Sequence, residues 1–543
     1  MKDLFYNDPE QIKRIVEEFS SAILPLKKPD QPFFSKYRVF NYKEELENAE
    51  PFGYEAQDPE EFIKNFAGYF ENAVNWDSTG VLYNVHPNVN VYGQVASFIA
   101  GFANPNFAQD ISSGKLMLIE KQLINYFASL AGWDSGQVGG IFTFGGKGTN
   151  LYGLKVALDK TFPNLREQGL QGKIKVISSD LGHPCHVEVC NWAGIGINNC
   201  IRLKTENTTL PVELFKETFE EIVKNGEKLP LIILNGLTTL NHAVDDIKGI
   251  AEARDEIVEK YKLDYIPHIH TDSVLGWVYL LLARYDFDAN PLSIRPDILS
   301  TMKKKYLLMA NITYADSFGA DFHKTGFCSY SSSLFMTKDK KSLQNIEYSY
   351  REDDTLEFSK YSPYNYSLEL SRSPHGPVSA YATLKTMGVE GFAQVLASLT
   401  ESFRYLKDVF HAQEHTQVLN YNEDSNLLFF VFKPRKDISF TENMEPGLVE
   451  EIKAFNTGFY QFLIHKLEKG EAYIFFSCSR SHKYLGQSFG SIKVYSWNAN
   501  FNVEEAKKVT YHINELFEEY IQGFEATKDY NIFDFLDVKG VNK

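Results

Sequence analysis

Cysteine is scarce in this chain: five residues in 543 (Cys185, Cys190, Cys200, Cys328 and Cys478), an odd number without CxxC spacing. This argues against a disulfide framework or a structural zinc site and fits a reducing, cytoplasmic setting. An excess of basic residues is missing too, since 55 Lys and Arg stand against 71 Asp and Glu, a formal charge of -16. Nucleic acid and anionic membranes both select a basic face that displaces counterions, so neither is an expected partner. Long apolar runs are also absent. The longest, Val274 to Ala283, falls far short of the roughly 18 residues needed to cross a bilayer. The opening MKDLFYNDPEQIKRIVEEF mixes acids and bases at helical spacing and lacks the apolar core of a signal peptide. No internal repeat or low-complexity stretch is visible. What is present is an ordinary globular composition, 43% hydrophobic and 23% charged, sufficient for two or three domains and a large core, with a small molecule as the favoured partner.

From about Gly139 to Met336, short apolar runs alternate with helical patterns. Lys173-Ser179, Leu229-Asn235 and Tyr265-Asp272 read as buried strands. Between the first two, Val212, Leu214, Phe215, Phe219, Ile222 and Val223 recur at helical spacing up to Asn225-Gly226; after the second, Ile247, Ile250, Ala251, Ile257 and Tyr261 do the same. The alternation predicts an α/β fold with a mostly parallel central sheet and helices on both faces, and ligands of such sheets sit beyond the carboxyl ends of the strands. Past Pro377 the pattern becomes a long helix, a strand at Leu427-Phe432, a helix near Leu448-Leu467, strands near Tyr473-Ser477 and Ile492-Trp497, and a final helix. The expected organisation is an N-terminal helical arm (1-95), a large domain (96-376) and a smaller α+β domain (377-543).

Several strand-end features carry chemistry. Gly139 to Asn150 (GGIFTFGGKGTN) runs into a helical pattern, and glycines ahead of a helix let backbone N-H groups approach an anion. A nucleotide P-loop does not fit, because Ile141 stands where GxxxxGK[ST] requires glycine. His183, in SSDLGHPCHVEVC, follows a strand and offers a flat ring to a planar ligand. His183, Cys185 and His186 could alternatively hold a metal, but no partner cluster lies nearby in sequence, and none is expected. Asp272 is an acid at the end of an apolar strand, costly to bury unless paired, whether with a ligand cation or in a structural ion pair. Lys324, in YADSFGADFHKTGF, sits among small and apolar residues; desolvation is expected to lower its pKa and favour attack on an aldehyde.

The order of these elements resembles the group II pyridoxal 5'-phosphate (PLP) dependent decarboxylases, over roughly Val85 to Gly388. FTFGGKGTNL is similar to the family's phosphate-site turn, with Lys147 and Gly148 in place of the usual small hydroxyl and Glu. SSDLGHPCHVEVCNWAGIG, NGLTTLN, HTDSVLG, YADSFGADFHK and LSRSPHGPVSAYATLKTMGVEGF resemble its further segments. Leu237 replaces the Gly before Thr-Thr, and Asp321-Phe322 replaces the usual Asn/Asp-Pro before His-Lys. HKTGFCSY resembles HKxG[FY]xxY of the tyrosine decarboxylases of lactic-acid bacteria, which also share a long insertion like ARYDFDANPLSIRPDILSTMKKKY.

The resemblance implies a PLP fold of the aspartate-aminotransferase type (fold type I), a homodimer, and a cytoplasmic lyase that converts an L-amino acid, tyrosine-like in its substrate, to the amine and CO2. It implies that Lys324 condenses with the cofactor's aldehyde, that Asp272 pairs with the pyridine nitrogen, and that His183 stacks on the ring. Gly145, Gly146, Lys147, Thr239, Ser317 and His323 contact the cofactor. His86 reaches the substrate, while Tyr330, or a tyrosine of the expected site-closing loop 346-367, donates a proton. The alternatives are a Cα-Cβ lyase resembling sphingosine-phosphate lyases and a catalytically silent binding protein of the same fold.

Overall fold

The computed structural model describes residues 8-35, 37-49, 51-347 and 359-523. In chain order its strands are β1 (Val81–Leu82), β2 (Gly139–Thr143), β3 (Ile174–Ser179), β4 (Cys200–Leu203), β5 (Lys228–Asn235), β6 (His268–Asp272), β7 (Ser317–Asp321), β8 (Ser333–Thr337), β9 (Thr416–Val418), β10 (Leu427–Phe432), β11 (Phe475–Tyr484) and β12 (Gln487–Tyr495). They form a seven-stranded sheet, β2-β8-β7-β6-β5-β3-β4, and a five-stranded sheet, β1-β11-β12-β10-β9.

In the seven-stranded sheet, β7, β6, β5, β3 and β4 are parallel neighbours. β8 is antiparallel to both β7 and β2. Two reversals cancel, so β2 points the same way as β7, and the chain leaves β2, β3, β5, β6 and β7 at one common edge. The sequence of β5 explains its central place. Leu229, Leu231, Ile232, Ile233 and Leu234 are fully buried, with no polar alternation, as a strand covered on both faces requires. Each such side chain contributes roughly 1.5–3 kcal/mol on leaving water. Helix Gly146–Thr161 packs along β5, β6, β7 and β8, and helix Val212–Lys224 packs on β5. The apolar run that is too short for a membrane becomes the buried 3-10 helix Gly276–Arg284. Among the described residues, no helix is long and apolar enough to cross a membrane.

The chain divides into two compact units, Val85–Glu401 with Glu423–Asn426, and Met1–Asn84 with Ser402–Asn422 and Leu427–Lys543. The sequence pattern places boundaries at 95/96 and 376/377. In the second unit β1 adds in parallel to β11, pairing Val81 with Phe475. Around that junction the Tyr83 ring stacks on Phe475 at 4.7 Å, and the Ser477 hydroxyl donates to the Tyr83 carbonyl at 3.0 Å. Helix His375–Ala412 spans the pattern change at Pro377, with a break at Gly388, whose φ is 60°.

Candidate active site

The unit holding the seven-stranded sheet gathers the candidate residues at its common carboxyl edge. β2 ends at Thr143 and turns through Gly145 into helix Gly146–Thr161. Gly145 has φ 146°, open to glycine but strained for other residues. A Cβ on Gly146 would lie 2.9 Å from Asp321 Oδ2 and 3.0 Å from Val274 Cγ1, so the glycine turn closes directly over the end of β7. Lys147 is exposed at the first helical turn, its Nζ 5.4 Å from the centre of the Trp192 ring.

Lys324 sits in the short helix Phe322–Thr325 that leaves β7. Its Nζ lies 2.8 Å from Asp321 Oδ2; the lysine side chain is 22% exposed and the carboxylate fully buried. Burial acts to lower the ammonium's pKa, but the charge and hydrogen bond of Asp321, with Asp272 and Tyr330 behind it, carry it above the ordinary lysine value. The expected lowering by desolvation is therefore corrected: in the free site the lysine is a paired cation. Asp321 also accepts from Ser333 Oγ at 2.6 Å.

Asp272 ends β6, and its Oδ2 accepts from His186 Nε2 at 2.8 Å and from Asn150 Nδ2 at 3.0 Å. Burial acts to raise its pKa, yet the hydrogen bond and charge of His186, then Lys324 and Asn150, hold it well below the usual carboxylate range. The other oxygen, Oδ1, receives only a long 3.5 Å approach from the Val274 N-H. His183 follows β3 and sits close enough to feel the charges of Asp272, Lys324 and Asp321; burial lowers its pKa. Its Nδ1 accepts from the Cys185 N-H at 3.1 Å, which leaves Nε2 to carry the ring proton.

Tyr330 and His323 belong to the same β7-β8 connection, their ring centres 4.2 Å apart, and the His86 ring centre lies 4.8 Å from that of Tyr330. His323 Nδ1 lies 3.0 Å from the Ser332 carbonyl oxygen and 3.2 Å from the Ser332 N-H. Burial, reinforced by His323, pushes the His86 pKa down to about 4. Tyr330 is 54% exposed, and the desolvation of its partly covered phenol raises its pKa. Thr239 lies partly buried in the turn after β5, two residues past Leu237, which takes φ 96° where the resemblance has glycine.

Ser317 is not brought to this edge. It begins β7 rather than ending it, is fully buried, and shares its hydroxyl with His268 Nε2 at 2.7 Å and His270 Nδ1 at 2.8 Å. The phosphate-ligand role expected for it is corrected by strand direction. Of the expected site-closing segment 346-367, residues 348-358 lie outside the described residues.

Residues 47–433 match the pyridoxal-dependent decarboxylase conserved domain. The chain belongs to the pyridoxal-dependent decarboxylase family. Among curated relatives of this decarboxylase family, the human acidic amino acid decarboxylase GADL1 is 24% identical over 359 residues, covering 64% of this chain and 63% of that protein. The L-2,4-diaminobutyrate decarboxylase of Acinetobacter baumannii is 22% identical, covering 69% and 71%. The match thus spans just under two thirds of the first relative's length. Among solved structures, Catharanthus roseus tryptophan decarboxylase in complex with L-tryptophan superposes with a TM-score of 0.73 at 15% identity, covering 95% of this chain and all of that one. The shared architecture is that of fold type I, and the family's cofactor is pyridoxal phosphate.

The residues present fit that cofactor. A glycine turn ahead of a sixteen-residue helix supplies backbone donors for a phosphate, and Asp272 Oδ1, which receives a long 3.5 Å approach from the Val274 N-H, can accept from a protonated ring nitrogen. Sequence reasoning missed the surroundings of Asp272. It noted His186 only as a possible metal ligand and left Asn150 within the glycine turn, because their approach to Asp272 depends on strand order. Cys185, His186 and Asp272 bring ligand-type atoms within 4.8 Å of one another. Burial first, and then the charge of Asp272, push the Cys185 thiol far up, and the hydrogen bond within the group runs from His186 Nε2 to Asp272 Oδ2.

Proposed function

We propose that this chain removes the α-carboxylate of an L-amino acid as CO2 and releases the amine, with a tyrosine-like aromatic substrate. The observation that carries the reading is the meeting, at one sheet edge, of the Lys324-Asp321 pair, the ionised Asp272 and the glycine turn. Lys324 would supply the amine that holds the cofactor's aldehyde. Gly145, Gly146 and the helix they open would hold its phosphate, with Lys147 adding charge and Thr239 a side contact. Asp272 Oδ1 would pair with its ring nitrogen, and His183 would lie against its ring. When bound, the cofactor supplies an electron sink for the pair left at Cα. Tyr330, its phenol protonated, returns a proton to Cα, while His323 packs against it and His86 stands on the substrate side. The aromatic preference rests on the HKTGFCSY resemblance and on this wall of rings. A cytoplasmic homodimer completes the proposal, supported by Val91, Val95, Phe98, Ile99 and Phe102, exposed on helix Val91–Phe102 as an apolar stripe suited to a second copy.

The test is CO2 release from a panel of L-amino acids, combined with borohydride reduction and peptide mapping of the holoenzyme. Tyrosine or a close aromatic is expected to be the best substrate, and the reduced cofactor is expected on Lys324. Release from glutamate or diaminobutyrate alone would overturn the substrate assignment, and a label elsewhere would overturn the site.

A further inference from the structure

The Oδ2 side of Asp272 is occupied by an imidazole that no step above uses. His186 lies on helix Cys185–Trp192, fully buried, with both ring nitrogens engaged: Nε2 on Asp272 Oδ2 at 2.8 Å and Nδ1 on Ser178 Oγ at 2.6 Å. An ionised carboxylate accepts only, so Nε2 carries the hydrogen that faces it. Ser178 comes from the buried strand β3 and is itself fully buried, so the ring cannot turn without breaking both bonds. Together with Asn150, His186 directs both strong donors to one carboxylate oxygen.

We infer that His186, anchored by Ser178, is a positioning residue that locks the rotamer of Asp272, so that Oδ1 alone is presented to the cofactor's ring nitrogen. The inference rests on the reading of Asp272 as the partner of that nitrogen. A carboxylate supported in this way polarises the ring more strongly than one free to rotate, because its charge stays where the nitrogen lies. A donor behind a cofactor-binding group acts as an outer-shell partner, and losing one from a metal site typically weakens binding by about 10- to 100-fold.

Three variants of the full chain separate the possibilities: His186→Phe, which fills the volume without a donor; His186→Gln, which keeps an N-H near the Nε2 position; and Asp272→Asn. Each is titrated with pyridoxal phosphate by absorbance, and the bound cofactor, labelled with 15N in its ring, is observed by NMR. His186→Phe is expected to weaken cofactor binding by about tenfold, to shift the ring-nitrogen resonance towards the unprotonated form, and to lower kcat with little change in KM. His186→Gln is expected to restore most of all three. If His186→Phe does not fold, His186→Gln and Ser178→Ala carry the test, the serine variant showing the same resonance shift in smaller measure. A wild-type resonance and affinity in His186→Phe, or defects that His186→Gln does not repair, would overturn the positioning role while Asp272→Asn still fails. A wild-type resonance in Asp272→Asn would overturn the underlying reading of the acid itself.

Discussion

Replacing Lys324 with methionine keeps the length of the side chain and removes its charge, leaving the Asp321 carboxylate fully buried with the Ser333 Oγ hydrogen bond and, 3.6 Å away, His323 Nε2. Removing one member of a buried ion pair costs roughly 3–5 kcal/mol, because the survivor keeps its desolvation penalty and loses its counter-charge. With Lys324 22% exposed and Ser333 still donating, the lower end, about 3 kcal/mol, is expected for the cofactor-free protein. Removing both charges in Asp321→Asn/Lys324→Met is expected to recover most of this loss, a coupling of at least ~2 kcal/mol in the double-mutant cycle. Chemical denaturation followed by tryptophan fluorescence reads the pair directly, since the Trp277 indole N-H donates to the Asp321 carbonyl at 3.0 Å. The lysine's pKa is raised on folding, so its contribution is fully present below its ordinary value of 10.5 and fades only as the pH climbs through the folded value. The difference between wild type and Lys324→Met should therefore stay constant from pH 7 to pH 9. Refutation would be a loss below about 1 kcal/mol in Lys324→Met, together with losses that add in the double variant instead of cancelling.

Two further outcomes follow from the same site. His86, held down to about 4 from its ordinary 6.5, should titrate near 4 by histidine NMR of the apo protein. Because the fold then binds fewer protons than the unfolded chain between those values, the His86 contribution to stability falls as the pH drops through that window; a midpoint near 6.5 would place His86 in open solvent. Gly146→Ala drives a methyl to 2.9 Å from Asp321 Oδ2, and it should weaken pyridoxal phosphate binding by at least tenfold, about 1.4 kcal/mol, in an absorbance titration. Unchanged affinity would mean that the turn does not close over the end of β7.

The sequence made parts of this molecule plain for definite reasons. The run Leu229 to Asn235 needs burial on both faces, and helix Ile247–Tyr261 coincides with its apolar spacing because one stripe serves one sheet. β12 was harder. It begins at Gln487, well before the apolar stretch from Ile492, and the Leu485-Gly486 turn that pairs it with β11 takes positive φ at both residues without the Asn-Gly chemistry that usually advertises such a hairpin. At the site, Lys324 and Asp272 were visible because charges seldom stand in apolar strand ends. Ser317 was misplaced because closeness to the lysine in sequence says nothing about direction along β7. The Asp321-Lys324 and His186-Asp272 contacts were hidden because one turns on the local rotation of the chain leaving β7 and the other on β5 lying between β3 and β6.

The connection from β7 to β8 is pinched shut where Asp321 faces Ser333 across the ladder and hydrogen-bonds to it. Between those two residues the chain must present His323, Lys324 and Tyr330. The amine and the phenol are thus two teeth on one clasp, and neither can be displaced alone. Lengthening the clasp by a single residue would throw both out of line together, whereas exchanging the whole of it as a cassette would carry their spacing intact into a related scaffold.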